Sequence, residues 1–179
     1  MTDDMTTARI SGLLAQASGR GACAGDVCEI RQLLEDRGPG AVLFHPDAPQ
    51  WALWVAENLG DRAPDVEAVI GRNPTTSLDY ARHVLRAPFE AGEDAISRDG
   101  WRSFLYAQDV LRTRFSDGEK AIATSARTSL AYAQFVGDRF EAGEAAIATD
   151  PWAATEYARH LQRCGIDMEW TKGSDHERQ

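Results

Sequence analysis

The side chains able to do chemistry are a cysteine pair, a scatter of histidines, and carboxylates and phenols that recur at fixed spacing. Cys23 and Cys28 stand in CAGDVC, and Cys164 is the third cysteine. Structural zinc takes four ligands, usually from two short clusters. No second cluster accompanies this one, so no metal is expected. The histidines are His45, His83, His160 and His176. His83 and His160 fall at equivalent places in a repeating pattern, but Asp109 and Phe135 fill that place between them, which marks a tolerant surface position rather than a ligand set. A serine nucleophile on a G-x-S-x-G elbow is absent. The glycine-rich GRGACAG has neither the lysine nor the spacing of a phosphate loop. No cofactor and no catalytic set is expected.

The carboxylates Glu67, Glu93, Glu119 and Glu144 lie 26, 26 and 25 residues apart. Tyr80, Tyr106, Tyr132 and Tyr157 keep the same spacing, each followed by alanine (Ala81, Ala107, Ala133, Ala158). So do Ile70, Ile96, Ile122 and Ile147. Phe89, Phe115 and Phe140 form a further column, as do Gly92, Gly118 and Gly143. Catalytic carboxylates come as a unique pair placed by a fold, not one per repeat. The glutamates are therefore expected in first turns of helices, where the dipole favours a carboxylate and a capping box can form. The tyrosines are expected in the core, with hydroxyls reaching backbone or solvent.

The elements that hold these columns read as pairs of short helices. Ser116 and Glu119 make an S-x-x-E pattern, which predicts a capping box and a first helix of about two turns. Asn73, Asp99, Ser125 and Asp150 share a column of strong N-cap residues and open the second helix. Pro74 and Pro151 follow two of them, suiting the first helical position. Along the second helix Ser129, Ala133 and Val136 share a face, as do Ser103, Ala107 and Val110; small residues there admit a close neighbour. Neither helix is long enough to stand alone in water, so the units must stack. Stepping back from Asn73 reaches Asp47, which predicts a degenerate first unit from about Arg37, with Phe44 in the isoleucine place and Trp54 in the tyrosine place.

Residues 7–18 and 25–36 read as two amphipathic helices, the second with Asp26 as its N-cap; they form an N-terminal cap over residues 1–36. The expected architecture is all-α: a right-stacked, α-solenoid-like array of five hairpins at 37–61, 62–87, 88–113, 114–138 and 139–164. Residues 165–170, with Met168 and Trp170, are expected to fold back as a last half-unit, and 165–179 to form a polar tail.

RFSDGEKAIAT…SLAYAQFV and RFEAGEAAIAT…TEYARHL carry a pattern, R-F-x-x-G-E-x-x-I-A followed by Y-A-x-x-V. It resembles short helical repeats of bacteriophage-encoded proteins that have no assigned activity. The match spans roughly residues 62–161; the unit at 62–86 departs from it at Ala63 and Val66. The resemblance implies a phage setting and a binding role, and brings no site residues with it.

Charge narrows the partners. The chain has 28 acidic against 19 basic residues and a net charge of −9, with no long acidic block. That disfavours direct binding to nucleic acid or anionic membrane. It suits plain solubility, or imitation of nucleic acid at a basic site on another protein. The start lacks the order of a signal peptide, no window is apolar enough to span a membrane, and three cysteines are too few for a disulfide scaffold, so a cytoplasmic location is expected.

Trp101 and Trp152 share one column, just after the N-cap of the second helix, with Pro49, Thr75 and Arg127. A place that takes Trp, Thr and Arg does not lie deep in a core. Trp101, Arg127 and Trp152 are therefore the candidate partner-binding residues, since exposed aromatics and arginine are what interfaces use as hot spots. Trp51 and Trp54 are expected to fill the space between cap and repeats. The leading expectation is a non-enzymatic protein-binding module, in its sharpest form a phage inhibitor of a host defence factor, anti-CRISPR-like. A self-assembling structural component and an enzyme with a hidden site are the alternatives.

Overall fold

The computed structural model describes residues 2–60 and 62–166, with side-chain surroundings from residue 6 onward. The described residues are all-helical, without strands. Twelve α-helices follow one another: α1 (Thr2–Gly19), α2 (Ala24–Arg37), α3 (Pro39–Leu43), α4 (Ala48–Leu59), α5 (Pro64–Ile70), α6 (Pro74–Asp79), α7 (Glu90–Ile96), α8 (Gly100–Tyr106), α9 (Glu119–Ile122), α10 (Ala126–Val136), α11 (Glu141–Ile147) and α12 (Pro151–Arg163). They divide into two compact units, residues 1–95 and 96–179. The expected half-unit with Met168 and Trp170, and the tail beyond it, lie outside the described residues.

In the first unit α1 packs on α2, α3 and α4, and α4 packs on α5 and α6. Leu14, Ala17 and Val27 are buried together, with Ile10, Ile30, Leu34 and Trp54 partly buried around them. Three expectations change here. Cys23, not Asp26, precedes α2; Asp26 sits in the first turn, where the positive helix end still favours it. Asp47 precedes α4 with ψ of −1° rather than an extended backbone, so its carboxylate caps nothing. Phe44 is not core: α3 is a single turn and Phe44 its C-cap, 77% exposed beneath the Arg72 guanidinium, while Val42 is buried instead.

The other N-caps form as the sequence predicts. Asn73 Oδ1 accepts the amides of Thr75 and Thr76 at 2.9 and 3.3 Å. Asp99 Oδ1 accepts that of Arg102 at 2.9 Å, Ser125 Oγ that of Thr128 at 3.5 Å, and Asp150 Oδ1 those of Trp152 and Ala153 at 3.0 and 3.1 Å. A further bond ties three of the first helices to their partners. Ser77, Ser103 and Ser129 donate their hydroxyls to the carbonyls of Ile70, Ile96 and Ile122, at 3.2, 2.8 and 3.1 Å. These carbonyls end the first helices and have no intrahelical partner. The isoleucine and tyrosine columns are completely buried.

Successive hairpins meet at glycine. A Cβ at Gly92 would stand 2.6 Å from Ser77 Cβ; at Gly118, 2.5 Å from Ser103 Cβ; at Gly143, 2.6 Å from Ser129 Cβ. No side chain larger than hydrogen fits there unless the serine or the phenylalanine ring shifts. Within the second unit α8 packs on α10 and α10 on α12, while α9 packs on α11.

The second helices differ in their last turn. After α6 the chain continues as a π-helical turn, Tyr80–Leu85, and after α8 as another, Ala107–Leu111; α10 stays α-helical to Val136. Left-handed residues close all three: Arg86 and Arg112 after the π turns (φ 54° and 58°), and Gly137 (φ 69°) after α10. A π turn holds one extra residue, and the spacing shows it. Tyr80 to Phe89 and Tyr106 to Phe115 are nine residues, whereas Tyr132 to Phe140 is eight. The change of period from 26 to 25 is the loss of this one bulge.

The close glycine contact sets a stability test. Gly118→Ala should lower unfolding free energy by about 1–3 kcal/mol through overpacking. Gly12→Ala, at a helical site with nothing within 4 Å, should stabilise by up to about 1 kcal/mol. Urea unfolding of both variants checks the contrast; equal effects would discount the contact.

Candidate functional site

The recurrent glutamates and tyrosines prove to be one structural device. Tyr132 donates its hydroxyl proton to Glu119 Oε1 at 2.8 Å and accepts the Phe115 backbone N–H at 3.0 Å. Tyr157 repeats this with Glu144 at 3.1 Å and Phe140 N–H at 2.9 Å. Tyr80 donates to Glu67 at 2.5 Å. The capping box expected of Ser116 and Glu119 does not form: residues Ser116–Gly118 make a 3-10 turn without a side-chain cap, and the carboxylate faces the phenol instead. Arginine closes each set from outside. Arg139 reaches both oxygens of Glu144 at 2.6 and 3.0 Å, Arg114 lies 3.4 Å from Glu119, and Arg62 donates to Tyr80 at 3.3 Å.

Burial and the neighbouring carboxylate both oppose ionisation of these phenols. The Tyr80 hydroxyl is pushed up to about 12 by burial, then by its bond to Glu67. Burial also pushes Tyr157 to about 12, against the opposing Phe140 N–H, and raises Tyr132 further. A phenol held neutral with its proton already placed is a poor acid or base at ordinary pH. These residues hold the hairpins and leave reactivity elsewhere.

His160 corrects its surface assignment. It is buried, with Nε2 3.2 Å from the Asp138 carbonyl, while His83 is exposed. Cys164 Sγ lies 3.8 Å from both ring nitrogens of His160 and donates to the Gly137 carbonyl at 3.4 Å. That spends the thiol proton on backbone and leaves no aligned nucleophile–base pair. Among the described residues no three His, Cys, Asp or Glu are placed to hold a metal, and no helix is long and apolar enough to cross a membrane.

The three candidate binding residues open α8, α10 and α12. Trp101 is 53% exposed, Trp152 59%, and the Arg127 side chain 81%. α8 packs on α10 and α10 on α12, so the three follow one another at roughly helix-to-helix steps of 8–10 Å. Trp101 leans on Phe104, ring centres 5.4 Å apart, and Phe104 meets Phe135 edge-on at 6.4 Å. Arg127 lies 3.8 Å from Asp150, the N-cap of α12, and a shallow open groove runs over Arg127, Leu130, Ala131, Gln134 and Trp152. The rings are held from below and bare above. Phe44, the other large exposed ring among the described residues, lies in the first unit.

Sequence reasoning missed a second feature. Trp54 packs on the buried cluster of α1 and α2, but the filling is incomplete: Trp51 and Trp54 also line an apolar cavity of about 310 Å³ there. Two tryptophans three residues apart, beside a degenerate unit, were its only sequence signal.

No family model matches the chain, and neither a curated protein nor a solved structure matches it.

Two outcomes test the structural role of the phenols. Tyr132→Phe strands the buried Phe115 N–H and should cost about 1–3 kcal/mol in urea unfolding. Stability should hold steady below pH 10, near the ordinary tyrosine value, and fall as pH rises through about 12. The sign follows because the unfolded chain releases phenolic protons first. Phenolate absorbance of the native protein checks this; buried tyrosines ionising near pH 10 would contradict it.

Proposed function

We propose that this chain is a non-enzymatic protein-binding module, built as an α-solenoid-like array of five hairpins, and that it grips its partner with Trp101, Arg127 and Trp152. The observation that carries the reading is the pair of tryptophans left more than half exposed at equivalent positions of α8 and α12, the helices on either side of α10. Burying an indole is worth more than leaving it in water, so two bare rings on a supported face are a cost without a partner. Arg127 between them adds a donor group suited to a carboxylate or a carbonyl.

The net charge of −9 favours a partner with a basic surface. The inhibitor form of the proposal follows: the module covers a basic, nucleic-acid-binding face of a host factor, as an anti-CRISPR protein would. The phage-like repeat pattern and the acidic balance support that form; the exposed row supports protein binding whatever the partner.

Affinity capture from a bacterial lysate, at low and high salt, tests both levels. A protein retained by the wild type and by Phe44→Ala should be lost by at least about tenfold in the Trp101→Ala/Trp152→Ala variant, whose unfolding midpoint should match wild type. Undiminished capture by the double variant would remove the row from the site. Capture that ignores salt would leave the row and dismiss the basic partner.

A further inference from the structure

The first unit holds a cavity that the proposed binding face does not use. It measures about 310 Å³ and is partly open to solvent. Its walls come from α1 to α5, with Leu14, Ala17, Val27, Trp51, Trp54 and Val55 prominent among them. Leu14, Ala17 and Val27 are themselves buried, so the cavity reaches the heart of that unit's apolar cluster. Trp54 packs on the cluster, and Trp51 is held by stacking on His45, ring centres 4.7 Å apart. Helices that merely lacked a filler would close over such walls, because each unmet wall atom forfeits packing. Here α4 stands with Trp51 stacked on His45 and Trp54 on the cluster, and the space between them and α1 and α2 remains.

Electrically the walls are closed on themselves. Among the described residues, Arg9, Asp26 and Asp65 are the charged ones lining the cavity. Arg9 pairs with Asp65 at 3.3 Å, and Asp26 lies in the first turn of α2, where the helix dipole offsets it. A charged guest would have to shed water without gaining a counter-ion, which is costly. An uncharged apolar guest meets no such cost. For scale, an apolar cavity of about 150 Å³ takes benzene. Twice that volume suits two fused rings or a chain of about ten carbons.

We propose that this cavity is a binding site for a neutral apolar small molecule of about that size, separate from the row on α8, α10 and α12. Bound there, the guest completes the core of the first unit.

The test uses the full chain and N-phenylnaphthylamine, an uncharged dye that brightens in apolar surroundings. Saturable brightening is expected, with the dye displaced by n-decanol at a concentration at least about tenfold below that needed of decanoate or decyltrimethylammonium. Val55→Phe, which fills the cavity, should weaken dye binding at least about tenfold. The competition on the wild-type protein decides the matter even if that variant fails to fold. No saturable signal, equal displacement by the charged chains, or unchanged dye binding by a folded Val55→Phe would each overturn the proposal. Trp101→Ala/Trp152→Ala should bind dye as wild type does; loss of dye there would instead place the guest on the exposed row and overturn the cavity assignment.

Discussion

The structure depends on where a buried phenol puts its hydroxyl. Tyr132 and Tyr157 each accept a backbone N–H from the phenylalanine that begins their own hairpin and donate to its glutamate. The ring of that phenylalanine turns the other way, edge-on to the preceding tyrosine: Phe115 to Tyr106 at 5.1 Å and Phe140 to Tyr132 at 5.0 Å. One residue thus closes its own hairpin through a hydrogen bond and joins the previous one through its ring. In the first unit Phe89 meets Tyr80 in the same way at 4.9 Å. A stranded N–H at the start of a short first helix would be costly, so the phenol is needed for both folding and stacking.

This arrangement separates scaffold from surface. Tyrosine, glutamate, isoleucine, serine and glycine are each tied to a fixed partner, and a change at any of them disturbs two helices. Residues at the second position of the second helices have no such duty. They vary between Pro49, Thr75, Trp101, Arg127 and Trp152, and all but Pro49 face solvent. The surface can be rewritten there without touching the hydrogen bonds beneath.

Much of this was legible in the sequence because period and capping chemistry are local. The N-caps at Asn73, Asp99, Ser125 and Asp150, the burial of the tyrosines, and the exposure of Trp101 and Trp152 all follow from residue type at fixed spacing. What escaped was three-dimensional. Glu119 reads as a capping-box residue, since its competing partner Tyr132 is thirteen residues away. Phe44 reads as core by alignment, but a one-turn helix cannot carry it inward. His160 reads as surface from its column and is buried because its ring meets the Asp138 carbonyl. The cavity beside Trp51 and Trp54 has no local signature beyond the two tryptophans, because empty space belongs to the helices around it.

The π turns at Tyr80–Leu85 and Ala107–Leu111 carry a lesson about length. A residue added to a helix ordinarily rotates everything after it by about 100° and would turn the next phenylalanine away from its tyrosine. Here the widened turn absorbs the addition, and the aromatic contact is made at nearly the same distance with or without it. The helix works as an expansion joint. Hairpins of two lengths can therefore follow one another in a single chain, and a one-residue insertion or deletion at this place becomes a tolerable step in the history of such a protein.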